Sequence, residues 1–218
     1  MFWNNKYNFI SLQILAIVNT LLHACHICRM NWLEIIGFIC GIAGIVLTLK
    51  ENFWCFPVGL VNVILSMFLF YTQQLYADTL QQLIYIILLT YGWVRWVNGD
   101  SNSKRIPITQ SNIKLLIYCF LVWLGATALL AILLTQYTNA SAPWPDSAAT
   151  SLSFIAQWMV AKKKLENWLL WIAVNILYIA IYLYKDLNLY ALLFVIYLGL
   201  AIWGYIQWKK EMKAHVIT

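Results

Sequence analysis

Residues 61–71 read Val-Asn-Val-Ile-Leu-Ser-Met-Phe-Leu-Phe-Tyr, and residues 174–184 read Val-Asn-Ile-Leu-Tyr-Ile-Ala-Ile-Tyr-Leu-Tyr. A loop with an acidic residue and a tryptophan precedes each string: Glu51, Asn52 and Trp54 in the first case, Glu166, Asn167 and Trp168 in the second. Leu-Tyr-Ala follows each, at 75–77 and 189–191. Each block then closes with Tyr, Gly and Trp, at Tyr85, Gly92 and Trp96 and at Tyr197, Gly204 and Trp208. The register drifts by two residues in between, as in a degenerate duplication. Chance similarity among apolar helices is the competing account.

The composition around these strings fixes the solvent. Of the 218 residues, 63% are hydrophobic and only 10% are charged, with 16% aromatic. A soluble domain carries about 45–50% apolar and about 25% charged residues. A chain this short cannot hide such an excess in a water-soluble core, and disorder calls for the opposite composition. The reading is an integral membrane protein. A bilayer core about 30 Å thick needs about 20 apolar residues per helix. Seven spans are expected, near 33–49, 53–72, 77–97, 113–136, 147–161, 167–184 and 189–208. An eighth apolar stretch, Phe9 to Leu22, is interrupted by Ser11, Gln13 and Asn19. It lies along the interface or forms an extra N-terminal transmembrane helix; without a small-residue cleavage pattern it is not read as a cleaved signal.

Basic residues distribute unevenly over these spans. One side receives Lys50, Arg95, Lys104, Arg105, Lys114, Lys162, Lys163, Lys164, Lys209, Lys210 and Lys213, the other only Arg29 and Lys185. This positive-inside bias places the C-terminus in the cytoplasm. It also accounts for the net charge of +6 without nucleic acid as a partner, since basic loops beside acidic headgroups do the same. Three spans invert the chain, and the span at 113–136 turns it back. The expected fold is therefore all-α, with seven transmembrane helices in a parallel 3+1+3 repeat plus the N-terminal apolar helix. The segments are 1–30 (apolar), 31–97 (first repeat), 98–140 (linker loop and linking helix), 141–208 (second repeat) and 209–218 (cytoplasmic tail). Parallel repeats bracket a site between the halves, with Asn62 and Asn175 approaching the axis from opposite sides.

At 100° per residue Trp168, Trp171 and Asn175 share one face of a helix, continued by Tyr178 and Tyr182. Indoles, phenols and an amide together suit a flat, cationic or polarised heteroaromatic ring. Helix packing with interhelical amide contacts is the blander account. Gln82 and Tyr85 follow one another by a turn on the third span, and Gln157 sits on a short span that begins at Pro145-Asp146 and carries Thr150, Ser151 and Ser153. Polar side chains at such depths are costly unless they meet water, a ligand or another helix.

No GxxxxGK[ST], HExxH or GxSxG string occurs, so ATP-driven transport and the common membrane hydrolases are not indicated. The acidic residues of the spans lie at span ends, where a proton- or sodium-coupled pump usually keeps a mid-membrane group. His23-Ala-Cys25-His26-Ile-Cys28 has metal-ligand spacing, but no second ligand cluster accompanies it, so it reads as incidental polar residues at a helix end. No cofactor, metal or catalytic dyad is expected. Cys40, Cys55 and Cys119 lie in apolar runs and form no disulfide framework.

The run Glu166-Asn167-Trp168-Leu-Leu-Trp171-(three residues)-Asn175 resembles the PnuC-type vitamin transporters. So do Pro57-Val-Gly59-(two residues)-Asn62 and Leu75-Tyr76-Ala77-Asp78-(three residues)-Gln82-(two residues)-Tyr85-(six residues)-Gly92-Trp93-(two residues)-Trp96. The similarity runs from about Trp32 to Trp208. It implies the 3+1+3 fold also found, in different form, in SWEET sugar transporters. It further implies a bacterial inner-membrane protein, often a homotrimer, that passes a phosphate-free vitamin by facilitated diffusion. The cargo is commonly nicotinamide riboside, and a cytoplasmic kinase then traps it. Trp168, Trp171, Asn175, Gln82 and Asn62 carry over as binding candidates. To these the residue reading adds Tyr85, Gln157 and Tyr178. Thiamine, or riboflavin, is the alternative cargo; a carboxamide is matched by Asn and Gln amides, which favours nicotinamide riboside.

Overall fold

A computed structural model describes residues 32–72, 76–99, 106–138 and 141–217. The N-terminal segment with His23, Cys25, His26 and Cys28 lies outside the described residues, as do Leu75, Lys104 and Arg105. Seven helices account for nearly all the rest: α1 (Trp32–Leu49), α2 (Cys55–Thr72), α3 (Tyr76–Asn98), α4 (Ile113–Tyr137), α5 (Pro143–Ala161), α6 (Asn167–Tyr184) and α7 (Asn188–Ile217). Each matches one expected span. Two boundaries differ. Helix α5 begins at Pro143, ahead of Pro145-Asp146, because proline fits the first helical turn, where no intrahelical N–H bond is lost. Helix α7 continues through Lys209, Lys210, Glu211, Met212 and Lys213, all strong helix formers, so the expected tail is helical to Ile217.

By length and composition alone, α2, α4, α6 and Tyr190–Ala214 of α7 can cross a bilayer. The less apolar α3 and α5 carry the polar residues that turn inward: Gln82, Ser147, Ser151 and Ser153 are all buried. Large apolar side chains face out instead, among them Ile87 on α3 and Phe120, Leu121 and Leu129 on α4. This inside-out polarity is what lipid demands of helices whose backbone bonds are already internal.

Helices α1, α2, α3, α5, α6 and α7 touch in that order, and α7 closes back onto α1. Among the described residues α4 touches only α5. A six-helix ring with one outlying helix results. The residues before α4 strap across one end of it. Thr109 exchanges backbone bonds with Lys163 and Leu165, Ser111 donates from N–H and Oγ to the Glu166 carboxylate, and Ile106 and Ile108 are buried beneath.

That end, rich in lysine, is sealed. After α1 and α5 the chain turns through Glu51 and Lys163, each in the left-handed region at φ 51° and 49°. The turns close alike: Asn52 N–H reaches Leu47 O and Lys164 N–H reaches Met159 O. Across the gap Lys163 Nζ pairs with Glu51 Oε2 at 2.6 Å and sits 4.6 Å from the Trp96 ring centre. Trp96 donates to Ala161 O and Trp208 to Thr48 O, tying α3 to α5 and α7 to α1. Each indole also meets a ring edge-on in its own half, Trp96 on Phe56 at 5.0 Å and Trp208 on Trp168 at 5.4 Å.

Glu51 and Lys163 are 112 residues apart; Phe56 and Trp168, Gly92 and Gly204, and Trp96 and Trp208 share that spacing. Sequence alignment of the strings paired Trp54 with Trp168. In the fold Phe56 holds the equivalent place, and Trp54 is 55% exposed. Glycine is required at the third member of each set. A Cβ on Gly92 would collide with the Phe56 ring, and one on Gly204 would lie 2.6 Å from three Trp168 ring atoms. Gly92→Ala and Gly204→Ala should therefore each cost about 1–3 kcal/mol through overpacking. Thermal unfolding in detergent will show it, and Phe56→Leu combined with Gly92→Ala should recover part of the loss. Parent-like melting of both alanine variants would contradict this packing.

Candidate functional site

The ring, with Leu130, Leu133, Leu134 and Tyr137 of α4, lines an open cavity of about 1270 Å³. All eight residues singled out from the sequence line it. Asn62 comes from α2, Gln82 and Tyr85 from α3, Gln157 from α5, and Trp168, Trp171, Asn175 and Tyr178 from α6. Helix α6 supplies a whole wall because its stripe at 3–4 spacing faces inward while Leu169, Ile176 and Leu183 face out.

The eight do not play one part. Trp168 is only 3% exposed and is wedged between Trp208 and Gly204, so it supports the seal as well as the cavity floor. Trp171 is half-buried against the same core. Asn175 and Gln82 are 4% and 9% exposed, and both line the cavity. Tyr85 is already engaged, its hydroxyl 2.6 Å from Ser153 Oγ, and the Tyr178 hydroxyl lies 3.4 Å from Thr150 Oγ1. Asn62 lies against Gly37 and Gly41 of α1, where small residues let side chains approach the backbone.

Several lining residues were not singled out from the sequence as site candidates. Tyr197 of α7 reaches the position a Cβ of Gly41 would take, at 3.1 Å. Its place in the Tyr-Gly-Trp repeat, matching Tyr85, was the available signal. At the end opposite the seal, Asp78, Asp146, Lys185 and Tyr182 line the cavity too. Lys185 Nζ pairs with Asp146 Oδ2 at 2.9 Å. Tyr182 continues the α6 stripe, but nothing in the sequence could bring together Asp78, Asp146 and Lys185, which sit on α3, α5 and the α6–α7 turn. Among the described residues no three His, Cys, Asp or Glu side chains gather to hold a metal ion.

The family model described as "Nicotinamide mononucleotide transporter" matches residues 31–210. The chain belongs to this family. It is 25% identical over 209 residues to the nicotinamide riboside transporter PnuC of Escherichia coli (strain K12), covering 84% of this chain and 87% of that one. It is 27% identical over 198 residues to PnuC of Neisseria mucosa, covering 85% and 74%. The riboflavin/roseoflavin transporter RibM of Streptomyces davaonensis is 23% identical over 188 residues, covering 81% and 84%. A crystal structure of the vitamin B3 transporter PnuC superposes with a TM-score of 0.70 at 22% identity, covering 95% of this chain and 93% of that one. The ring of helices is thus the fold of a known membrane transporter.

If the α6 stripe contacts cargo, Trp171→Ala and Asn175→Ala should weaken binding of nicotinamide riboside about tenfold or more. Loss of a ring stacked on a desolvated indole, or of an amide partner, costs on the order of 1–3 kcal/mol. Trp203→Ala is the control, since Trp203 is 55% exposed on the outer face of α7. Calorimetry on the folded variants decides: parent-like affinity in both α6 variants would reduce the stripe to helix packing.

Proposed function

We propose that this chain carries nicotinamide riboside across the bacterial inner membrane by facilitated diffusion, and that phosphorylation by a cytoplasmic kinase holds the imported vitamin inside. The observation that supports the reading is the pair of amides, Asn175 and Gln82, that line one cavity together with indoles and phenols. A carboxamide on a flat ring supplies the donors and acceptor that such amides need, and indole and phenol faces suit its cationic ring. The family description and the relatives' names differ by one phosphate. The cavity favours the phosphate-free form: among the described residues the only cation lining it, Lys185, is engaged by Asp146. A volume of about 1270 Å³ also admits the larger ring of riboflavin, the cargo named for RibM, which makes riboflavin the second reading. Thiamine is disfavoured by the lack of a mid-depth carboxylate for its aminopyrimidine.

The two triplets α1–α3 and α5–α7 are read as parallel repeats joined by α4, a 3+1+3 arrangement supported by the shared spacing of the seal residues. The lysine-rich seal then faces the cytoplasm, together with the C-terminus. Facilitated diffusion requires that seal to open while the Asp146–Lys185 end closes. The outward apolar face of α4 meets lipid and, in a homotrimer, neighbouring copies.

Purified protein in liposomes should equilibrate nicotinamide riboside without concentrating it, and a kinase with ATP enclosed in the liposomes should convert equilibration into accumulation. Concentrative uptake into empty liposomes under an imposed proton or sodium gradient would overturn the passive mechanism.

A further inference from the structure

The end of the cavity opposite the seal carries three charged side chains. Asp146 and Lys185 neutralise one another at 2.9 Å. Asp78, in the first turn of α3, also lines the cavity, lies within electrostatic reach of both, and makes no ion pair with a described residue. Among the described residues, two carboxyl groups therefore line the mouth against one ammonium. Tyr182 and Tyr178 stand beside it, stacked with ring centres 5.9 Å apart. Asp78 sits one turn above Gln82 on α3, and Tyr182 and Tyr178 lead down α6 to Asn175. The carboxylate, the phenol faces and the two amides line one cavity.

We infer that Asp78 sets selectivity at the entrance: it draws a cationic ring into the cavity and onto the phenol faces, and gives no such help to a neutral ring of the same shape. The inference deepens the cargo reading above and rests on it. A carboxylate at the start of a helix also stabilises that helix through its dipole, and the test separates the two roles. A half-exposed carboxylate is screened by solvent and salt, so its effect should be moderate and should shrink as ionic strength rises.

The experiment uses the full chain reconstituted in liposomes, as wild type, Asp78→Asn and Asp78→Glu. Two cargoes of nearly one shape are compared, nicotinamide riboside with its positive pyridinium and its uncharged dihydro form. Asp78→Asn should raise the half-saturating concentration for the cation by roughly three- to tenfold at low salt. The uncharged form should be unaffected, Asp78→Glu should restore the cation, and high salt should narrow the difference. Equal weakening of both forms, or parent-like uptake of the cation by Asp78→Asn, would overturn the inference and leave Asp78 a helix-start residue. Should the wild type take up neither form, the cargo reading has failed, and thiamine and riboflavin serve as the cationic and neutral pair. Asp78→Asn must then weaken thiamine alone; failure to take up any cationic ring overturns the inference too.

Discussion

Two indoles hold the ring closed. Trp96 ties α3 to α2 through Phe56 and to α5 through Ala161 O, while Trp208 ties α7 to α6 through Trp168 and to α1 through Thr48 O. The two rings approach each other at 6.3 Å. Both seams between the triplets, α3 on α5 and α7 on α1, are therefore fastened at one depth. Beside them lies the Lys163–Glu51 pair, which joins two residues held in the left-handed region. That conformation costs a non-glycine residue on the order of 1–2 kcal/mol, and the ion pair with its neighbouring indole face offsets the cost. Lipid supplies no hydrophobic drive for closing a ring of helices, so these few directional contacts decide its geometry.

The seal is also incompletely satisfied. Four buried side-chain N or O atoms lack a partner among the described residues, and three of them, Arg95 Nε, Asn167 Oδ1 and Trp168 Nε1, belong to this end. Each buried unpaired group costs about 1–3 kcal/mol. Unmet polar groups raise the energy of this closed form. If the seal opens, as the proposed function requires, the two forms must lie within only a few kcal/mol, and a seal fastened by good contacts yet carrying such costs is compatible with that.

The seven helices were legible in the sequence because lipid leaves few options: apolar runs of fitting length, separated by Lys50-Glu51-Asn52, Lys162-Lys163-Lys164 and Lys185-Asp186, translate directly into spans and turns. The α6 stripe was legible for a similar reason, since helical period alone puts Trp171, Asn175 and Tyr178 on one face. What the sequence concealed depends on contacts between helices. It set Trp54 against Trp168, because tryptophans attract the eye, whereas the fold places the smaller Phe56 against Gly92. The ion pairs were hidden too, as nothing local to Glu51 or Asp146 points to a lysine more than thirty residues away. Trp168 lines the cavity, and its wedge against Gly204 becomes visible only with two helices in place.

The duplication explains why seal and cavity differ in character. At the seal the two halves use matching parts: glycine under a ring, an indole above it, a left-handed turn beside it. Structural fastening gains from such repetition, because each half braces the other. Inside the cavity the halves diverge. Tyr85 meets the Ser153 hydroxyl, while Tyr197, its counterpart, meets bare backbone at Gly41. Helix α6 presents indoles and an amide, while α2 presents Asn62 against the glycines of α1. If the cargo is a vitamin joined to a sugar, as proposed, it has no two-fold symmetry, and a symmetric lining would match one end of it and waste the other. Repetition where the ring is fastened and difference where that cargo would lie then suit a carrier of an asymmetric molecule.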